Sequence, residues 1–186
     1  MPELPYEIWK DRIENELNNI QKLNVLSESS VIKATNYIEF TLNINALGAV
    51  KEEGELKPQR FHRIFLKLNR SFPYPGGIDF SWISNIFHPN IHPVNLGSST
   101  SGTGYICLNV LKKWSRLSDL ETTVKALESL IKNPNPDDPL NYPICLEAAE
   151  FFKHKSMDDL RKKFETKEEE PEKEGEEEED IIIVDD

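Results

Sequence analysis

The chain has 186 residues, 38% of them apolar, and a formal net charge of −11. Nearly all of that charge is local: residues 166–186 hold twelve acidic residues and two lysines, while 1–165 hold 21 acidic against 20 basic residues. The length and the near-neutral body point to one domain with a real core at 1–165 and a disordered acidic tail at 166–186; no Lys/Arg cluster marks a nucleic-acid face, and no apolar run approaches the roughly 18 residues of a membrane span.

The opening "MPELPYEIWKD" is acidic and lacks the apolar centre of a signal peptide. Tyr6, Trp9, Ile13, Leu17 and Ile20 then recur at spacings of three and four, which predicts an amphipathic helix over 5–21. Val31–Ala34 reads as a short strand. Ile38, Phe40, Leu42 and Ile44 alternate, which predicts a half-buried strand over 36–45. "AVKEEGELKPQ" reads as a polar connection. Ile64, Leu66 and Leu68 give the next strand, "SFPYPGG" a turn, and Ile78, Phe80 and Trp82 another strand.

Further on, the period changes. Ser118-Asp119-Leu120-Glu121 has the form of a capping box, and Leu120, Val124, Leu127 and Ile131 keep helical spacing until "NPNP", where Pro134 and Pro136 end the helix. "YPICLEAAEFF" restarts a helix with proline in its first turn. Ser156 caps a last helix carrying Leu160 and Phe164. Strands grouped between helices imply an α+β domain with an antiparallel meander.

The segment "NIFHPNIHPVNLGSSTSGTGYICLNVL" carries the chemistry. A small, polar, flexible loop precedes Cys107, one of two cysteines in the chain, the other being Cys145 38 positions on. That is no disulfide framework, and a reducing compartment is expected, cytoplasmic or nuclear. The glycines have no following lysine in the phosphate-loop arrangement. A zinc site from His88, His92, Cys107 and Cys145 would recruit ligands from unrelated segments with no compact pair, so no metal is expected. A Cys–His hydrolase could draw on His62, His88 or His92, but nothing local marks the third group such enzymes need.

"FHPNI", then "ICLNVL", then a tryptophan, then "NPNPDDPLN" together resemble the ubiquitin-conjugating enzymes, over most of residues 5–165. The resemblance implies the ubiquitin-conjugating-enzyme fold: an N-terminal helix, a four-stranded antiparallel meander and C-terminal helices. It implies that Cys107 accepts a ubiquitin or ubiquitin-like protein as a thioester from an activating enzyme and passes it to a substrate lysine, usually with a RING-type ligase. ATP is then used by the activating enzyme, and this chain needs no cofactor. Asn90 matches the asparagine assigned either to the oxyanion of the amine attack or to holding the local loop. Asp138 matches an acidic position near the incoming lysine, where a carboxylate can orient the ammonium. His88, Asn109 and Leu140 match supporting positions. Pro73, Tyr74, Trp114 and Ser115 match ligase-contact positions. The alternative is a catalytically silent module of the same fold that only binds ubiquitin-like proteins or ligases; Cys107, Asn90 and Asp138 occurring together favour the enzyme.

This chain departs from the family pattern in several places. Sixteen residues separate Asn90 from Cys107, about twice the family spacing, so 91–106 contains an insertion. Asn109 stands where many members have aspartate. Arg116-Leu117 replaces the Pro-Ala that usually follows Trp-Ser. Glu7, Asp11, Glu14 and Glu16 outnumber Lys10 and Arg12 on a helix that family members usually keep basic. Several of these residues also have plain structural readings: His88 as a hydrogen-bonded structural histidine, Cys145 as core, Trp114 as packing, Asp137 as a turn former. The tail is too charged to fold alone. Its "IIIV" at 181–184 is either solubilising sequence or a short motif, similar to SUMO-interacting motifs, that adds a strand to a partner's sheet.

Overall fold

The computed structural model describes residues 2–107 and 119–168. Helix α1 spans Tyr6–Lys22. Four strands follow: β1 (Leu26–Lys33), β2 (Tyr37–Glu52), β3 (Glu55–Asn69) and β4 (Ile78–Trp82), antiparallel in the order β1-β2-β3-β4. A short pair, β5 (Ile91–His92) and β6 (Tyr105–Ile106), precedes α2 (Leu120–Lys132), α3 (Pro143–Phe152) and α4 (Met157–Glu168). This is the expected α+β arrangement of helix, four-stranded meander and C-terminal helices.

Alternation along the strands builds the core. Ile38, Phe40, Leu42 and Ile44 of β2 and Ile64, Leu66 and Leu68 of β3 point inward and are buried. Trp9, Ile13, Leu17 and Ile20 of α1 pack into the same cluster, as do Leu120, Val124, Leu127 and Ile131 of α2. A second cluster (Leu47, Ala49, Phe87, Ala148, Phe152, Leu160, Phe164) seats α3 and α4 against the far end of β2. Glu16 of α1 is buried; it pairs with Arg12 at 2.7 Å and accepts the Leu120 N–H at 2.7 Å, tying α1 to the first turn of α2.

Three sequence expectations change. "AVKEEGELKPQ" is strand, with β2 and β3 continuing through it to pair Glu52 with Glu55. Glu53 and Gly54 sit at φ 52° and 84°, the two left-handed positions of a tight two-residue hairpin turn. Pro58 is tolerated because β4 pairs only with Ile64–Leu68, which leaves β3 an edge strand at that level. β1 is also longer than Val31–Ala34. Its ladder breaks between Ser27 and Ile32, where the Ser30 hydroxyl donates to Ser27 O and accepts the Thr41 N–H in place of a strand neighbour. Lastly, the N-cap of α2 is Asp119, whose carboxylate accepts the Thr122 N–H at 2.7 Å; Ser118 lies outside the described residues. The cap of α4 is as expected: Ser156 N–H donates to Asp159 and Asp159 N–H to the Ser156 hydroxyl.

Candidate active site

The chain leaves β4 through Phe87-His88-Pro89-Asn90. Phe87 N–H donates to Ala49 O at 2.7 Å, and its ring enters the second core cluster. His88 follows under full cover. Its Nδ1 accepts the Asn90 N–H at 3.0 Å, so its one ring proton sits on Nε2, which donates to Leu130 O at 2.9 Å. Burial pushes the ring down to about 3. His88 is therefore a neutral strut between α2 and the Asn90 loop, and with both nitrogens engaged it cannot serve as a base.

Asn90 is fully buried and every polar atom of its side chain is used. Nδ2 donates to Asn135 O at 3.0 Å and to Asp138 O at 2.9 Å, and Oδ1 accepts the Asn135 N–H at 2.8 Å. The neighbouring Pro89 O accepts the Leu140 N–H at 2.9 Å. The segment 135–140 is thus laced to 89–90, and the exposed Asp138 is carried to the same place.

Cys107 joins from the other side. Its N–H donates to Asn90 O at 2.8 Å, continuing the register in which Ile91 pairs with Ile106 and His92 with Tyr105. Cys107 keeps 7% of its surface open, whereas Cys145 has none. Cys145 donates to Ile91 O at 3.3 Å, and burial pushes its thiol up to about 12, far from a usable thiolate.

The structure therefore gathers His88, Asn90, Cys107, Asp138 and Leu140. Pro73 and Tyr74 lie apart, in the β3–β4 turn, where Tyr74 N–H donates to Ser71 O at 2.7 Å. Asn109, Trp114 and Ser115 lie outside the described residues. The loop before Cys107, read from sequence as flexible, is instead a hairpin bonded to the end of β4. Trp82 N–H donates to Gly104 O, Val94 N–H to Trp82 O and Asn95 N–H to Ile83 O, at 2.8–2.9 Å. Among the described residues no group of three or more His, Cys, Asp or Glu is placed to hold a metal ion.

Sequence reasoning missed Asn135 and Tyr142. Asn135 receives both ends of the Asn90 amide, and its Oδ1 accepts the Asp137 N–H at 3.2 Å. Asn before Pro in "NPNP" signals such a side-chain turn. Tyr142 stacks flat on His92, ring centroids 3.8 Å apart and planes at 5°, which no local pattern announces.

Residues 12–167 match the pattern of the family described as "Ubiquitin-conjugating enzyme". "Ubiquitin-conjugating enzyme E2 2" of Aspergillus fumigatus is 30% identical over 108 residues, 57% of this chain and 62% of that protein. The chain thus spans less than two thirds of that relative. "Ubiquitin-conjugating enzyme E2 N" of Drosophila melanogaster is 35% identical over 135 residues, 63% of this chain and 79% of that protein. Among solved structures, a Toxoplasma gondii ubiquitin conjugating enzyme E2 domain superposes with a TM-score of 0.54 at 22% identity, covering 86% of this chain and 96% of the other. At that identity the likeness speaks to the fold.

Proposed function

The chain belongs to the ubiquitin-conjugating enzyme family, and from that premise we propose that it is an active carrier with Cys107 as its nucleophile. The Cys107 thiolate attacks the carboxyl-terminal thioester held by an activating enzyme. A new C–S bond forms as the old one breaks, and the activating enzyme's thiolate leaves. A lysine amine, having lost its proton, then attacks the same carbonyl. An amide forms as the nitrogen gives up a second proton to solvent, and Cys107 leaves as thiolate. Thiol–thioester exchange is close to balanced in energy, so this chain needs no nucleotide of its own.

One observation carries the proposal. Three segments far apart in sequence converge: the Cys107 N–H meets Asn90 O, and the Asn90 side chain meets the Asn135–Asp138 main chain. A silent binding module has no need of a cysteine fixed in that corner. In this reading Asn90 is first a positioning residue, since both its amide hydrogens are committed to carbonyls. Asp138, exposed at the rim, orients the incoming ammonium and helps its proton leave. A RING-type ligase and a substrate lysine complete the partners, with ligase contact at Pro73 and Tyr74. In this reading the protein works in the cytoplasm or nucleus, where ATP-dependent activation and a reduced thiol are available; among the described residues no helix is long and apolar enough to cross a membrane.

The test is a non-reducing gel after incubation with activating enzyme, ATP and a panel of ubiquitin-like proteins. We expect a reductant-sensitive adduct that Cys107→Ala abolishes and Cys145→Ala leaves in place. An adduct that survives Cys107→Ala overturns the assignment, and no adduct with any panel member leaves the binding-module reading.

A further inference from the structure

The hairpin ahead of Cys107 places an exposed aromatic ring on the cysteine's own face. Ile91 and Ile106 pair across β5 and β6 and turn into the core, 0% and 2% exposed. Alternation then puts the flanking pairs, Asn90 with Cys107 and His92 with Tyr105, on the opposite face. His92 on that face is held by Thr103, whose N–H donates to its Nδ1 at 3.2 Å, and is covered by Tyr142. Tyr142 follows Asp138 in the segment that Asn90 anchors. Tyr105 is left uncovered at 51% exposure. Along an extended strand, its Cα lies about 7 Å from that of Cys107.

The backbone under Tyr105 is built for this placement. Gly104 takes φ 74°, and a Cβ there would fall 2.1 Å from the Ser81 hydroxyl. Its carbonyl accepts the Trp82 N–H at 2.9 Å, which pins the strand to β4. Tyr105 N–H in turn donates to the Thr103 hydroxyl at 3.3 Å. A ring fixed at its base, exposed to solvent and two residues before Cys107 along the strand, offers a π face to whatever approaches the cysteine. Under the proposed transfer the approaching group is a lysine, charged until it reacts, and Asp138 lies on the segment that Tyr142 continues. Aromatic faces attract ammonium ions, at exposed sites by an amount equal to about a two- to fivefold change in affinity.

We propose that Tyr105 is a specificity-determining residue of the acceptor site: its ring receives the lysine ammonium, so that cationic amines are taken up in preference to neutral nucleophiles. This rests on the function proposed above. The ring acts before deprotonation, so it lowers the KM for the amine and leaves kcat to Cys107 and Asp138.

The experiment is single-turnover discharge of the charged full-length protein, with free lysine or with hydroxylamine, a neutral nucleophile at pH 7.5. Tyr105→Ser and Tyr105→Leu, the second keeping apolar bulk without a π face, should each raise the KM for lysine about two- to fivefold at constant kcat. Hydroxylamine discharge should hold, and Tyr105→Phe should match wild type. Equal losses with lysine and hydroxylamine would mean local damage at Cys107 and overturn the proposal. So would an unchanged lysine KM, a Tyr105→Leu that behaves as wild type, or a Tyr105→Phe that fails. If charging itself is lost in a folded Tyr105→Ser, the residue serves the donor, and the proposal is wrong. A wild-type protein that never charges removes the functional reading, and this proposal with it.

Discussion

Along β2 and β3 the covered groups are apolar: Ile38, Phe40, Leu42 and Ile44 face Ile64, Leu66 and Leu68, and their side chains ask nothing of one another but contact. Around Asn90 the covered groups are polar. His88 and Asn90 are as buried as those core residues, yet each is held by named hydrogen bonds to main chain from Leu130, Asn135 and Asp138. The first region tolerates exchange of one apolar side chain for another of similar size. The second does not, because an unmatched buried polar group costs about 1–3 kcal/mol. The corner holding the cysteine is thus specified by directional bonds, where a small error costs its geometry, while the sheet rests on non-directional apolar contact.

Acid should break that corner first. His88 titrates near 3 in the folded protein and near its ordinary 6.5 once unfolded. A depressed histidine contributes stability that is complete above about pH 6.5 and is lost as pH falls towards 3, because the unfolded chain takes up the proton first. Over that window the loss approaches about 5 kcal/mol. His88→Gln should flatten the slope of stability against pH between 7 and 4, read by urea denaturation. His62 shifts in the same direction through burial. An unchanged slope in His88→Gln would move the acid sensitivity to the sheet and erase the contrast between the regions.

Asn90→Ala comes next. It strands the Asn135 N–H and two carbonyls together, so we expect a loss of about 3 kcal/mol in folding stability. Discharge to lysine should fall at least tenfold as the Asp138 segment loses its anchor, while charging at Cys107 is less affected. If discharge falls and the melting temperature does not move, Asn90 works directly on the oxyanion, and the brace reading is wrong. Ile64→Val, in the other region, should cost about 1 kcal/mol and leave discharge alone.

This contrast also governs what could be read without coordinates. The apolar periods of α1, β2, α2 and the short β4 translate directly into faces, so helix, meander and helices were legible in order. The prolines of "NPNP" and "YPI" marked helix ends because a missing N–H and a fixed φ act locally. The outer half of the β2–β3 hairpin was not legible: Gly54 and Pro58 carry the same signals in an edge hairpin as in a loop. Nor was the Asn90–Asn135 lacing, because a polar bond spanning 45 positions leaves no periodic trace. His92 on Tyr142 was missed for the same reason. The residues of the candidate site were legible only through their ordered resemblance to a family, which implied roles for them and left the hydrogen bonds that hold them to geometry.

The smallest effect expected lies outside both regions, in the acidic tail, which we propose is a partner tether with no part in the catalytic fold. Helix α4 runs to Glu168, and its Leu160 and Phe164 close the second core cluster. A chain ending at Glu168 keeps all of these contacts, so its melting temperature and Cys107 charging should match the full chain. Ligase-dependent conjugation should fall a few-fold, most at low salt, because attraction between the tail's net −10 and a basic partner is unscreened there. Replacing Ile181, Ile182, Ile183 and Val184 with alanine preserves every charge. Loss of partner binding in that variant assigns the tail to strand addition, whereas loss only on reversing the glutamates assigns it to electrostatic steering. If neither change alters conjugation with any ligase tried, the tether is wrong, and selectivity for partners must be sought on the folded domain, beginning at Pro73 and Tyr74.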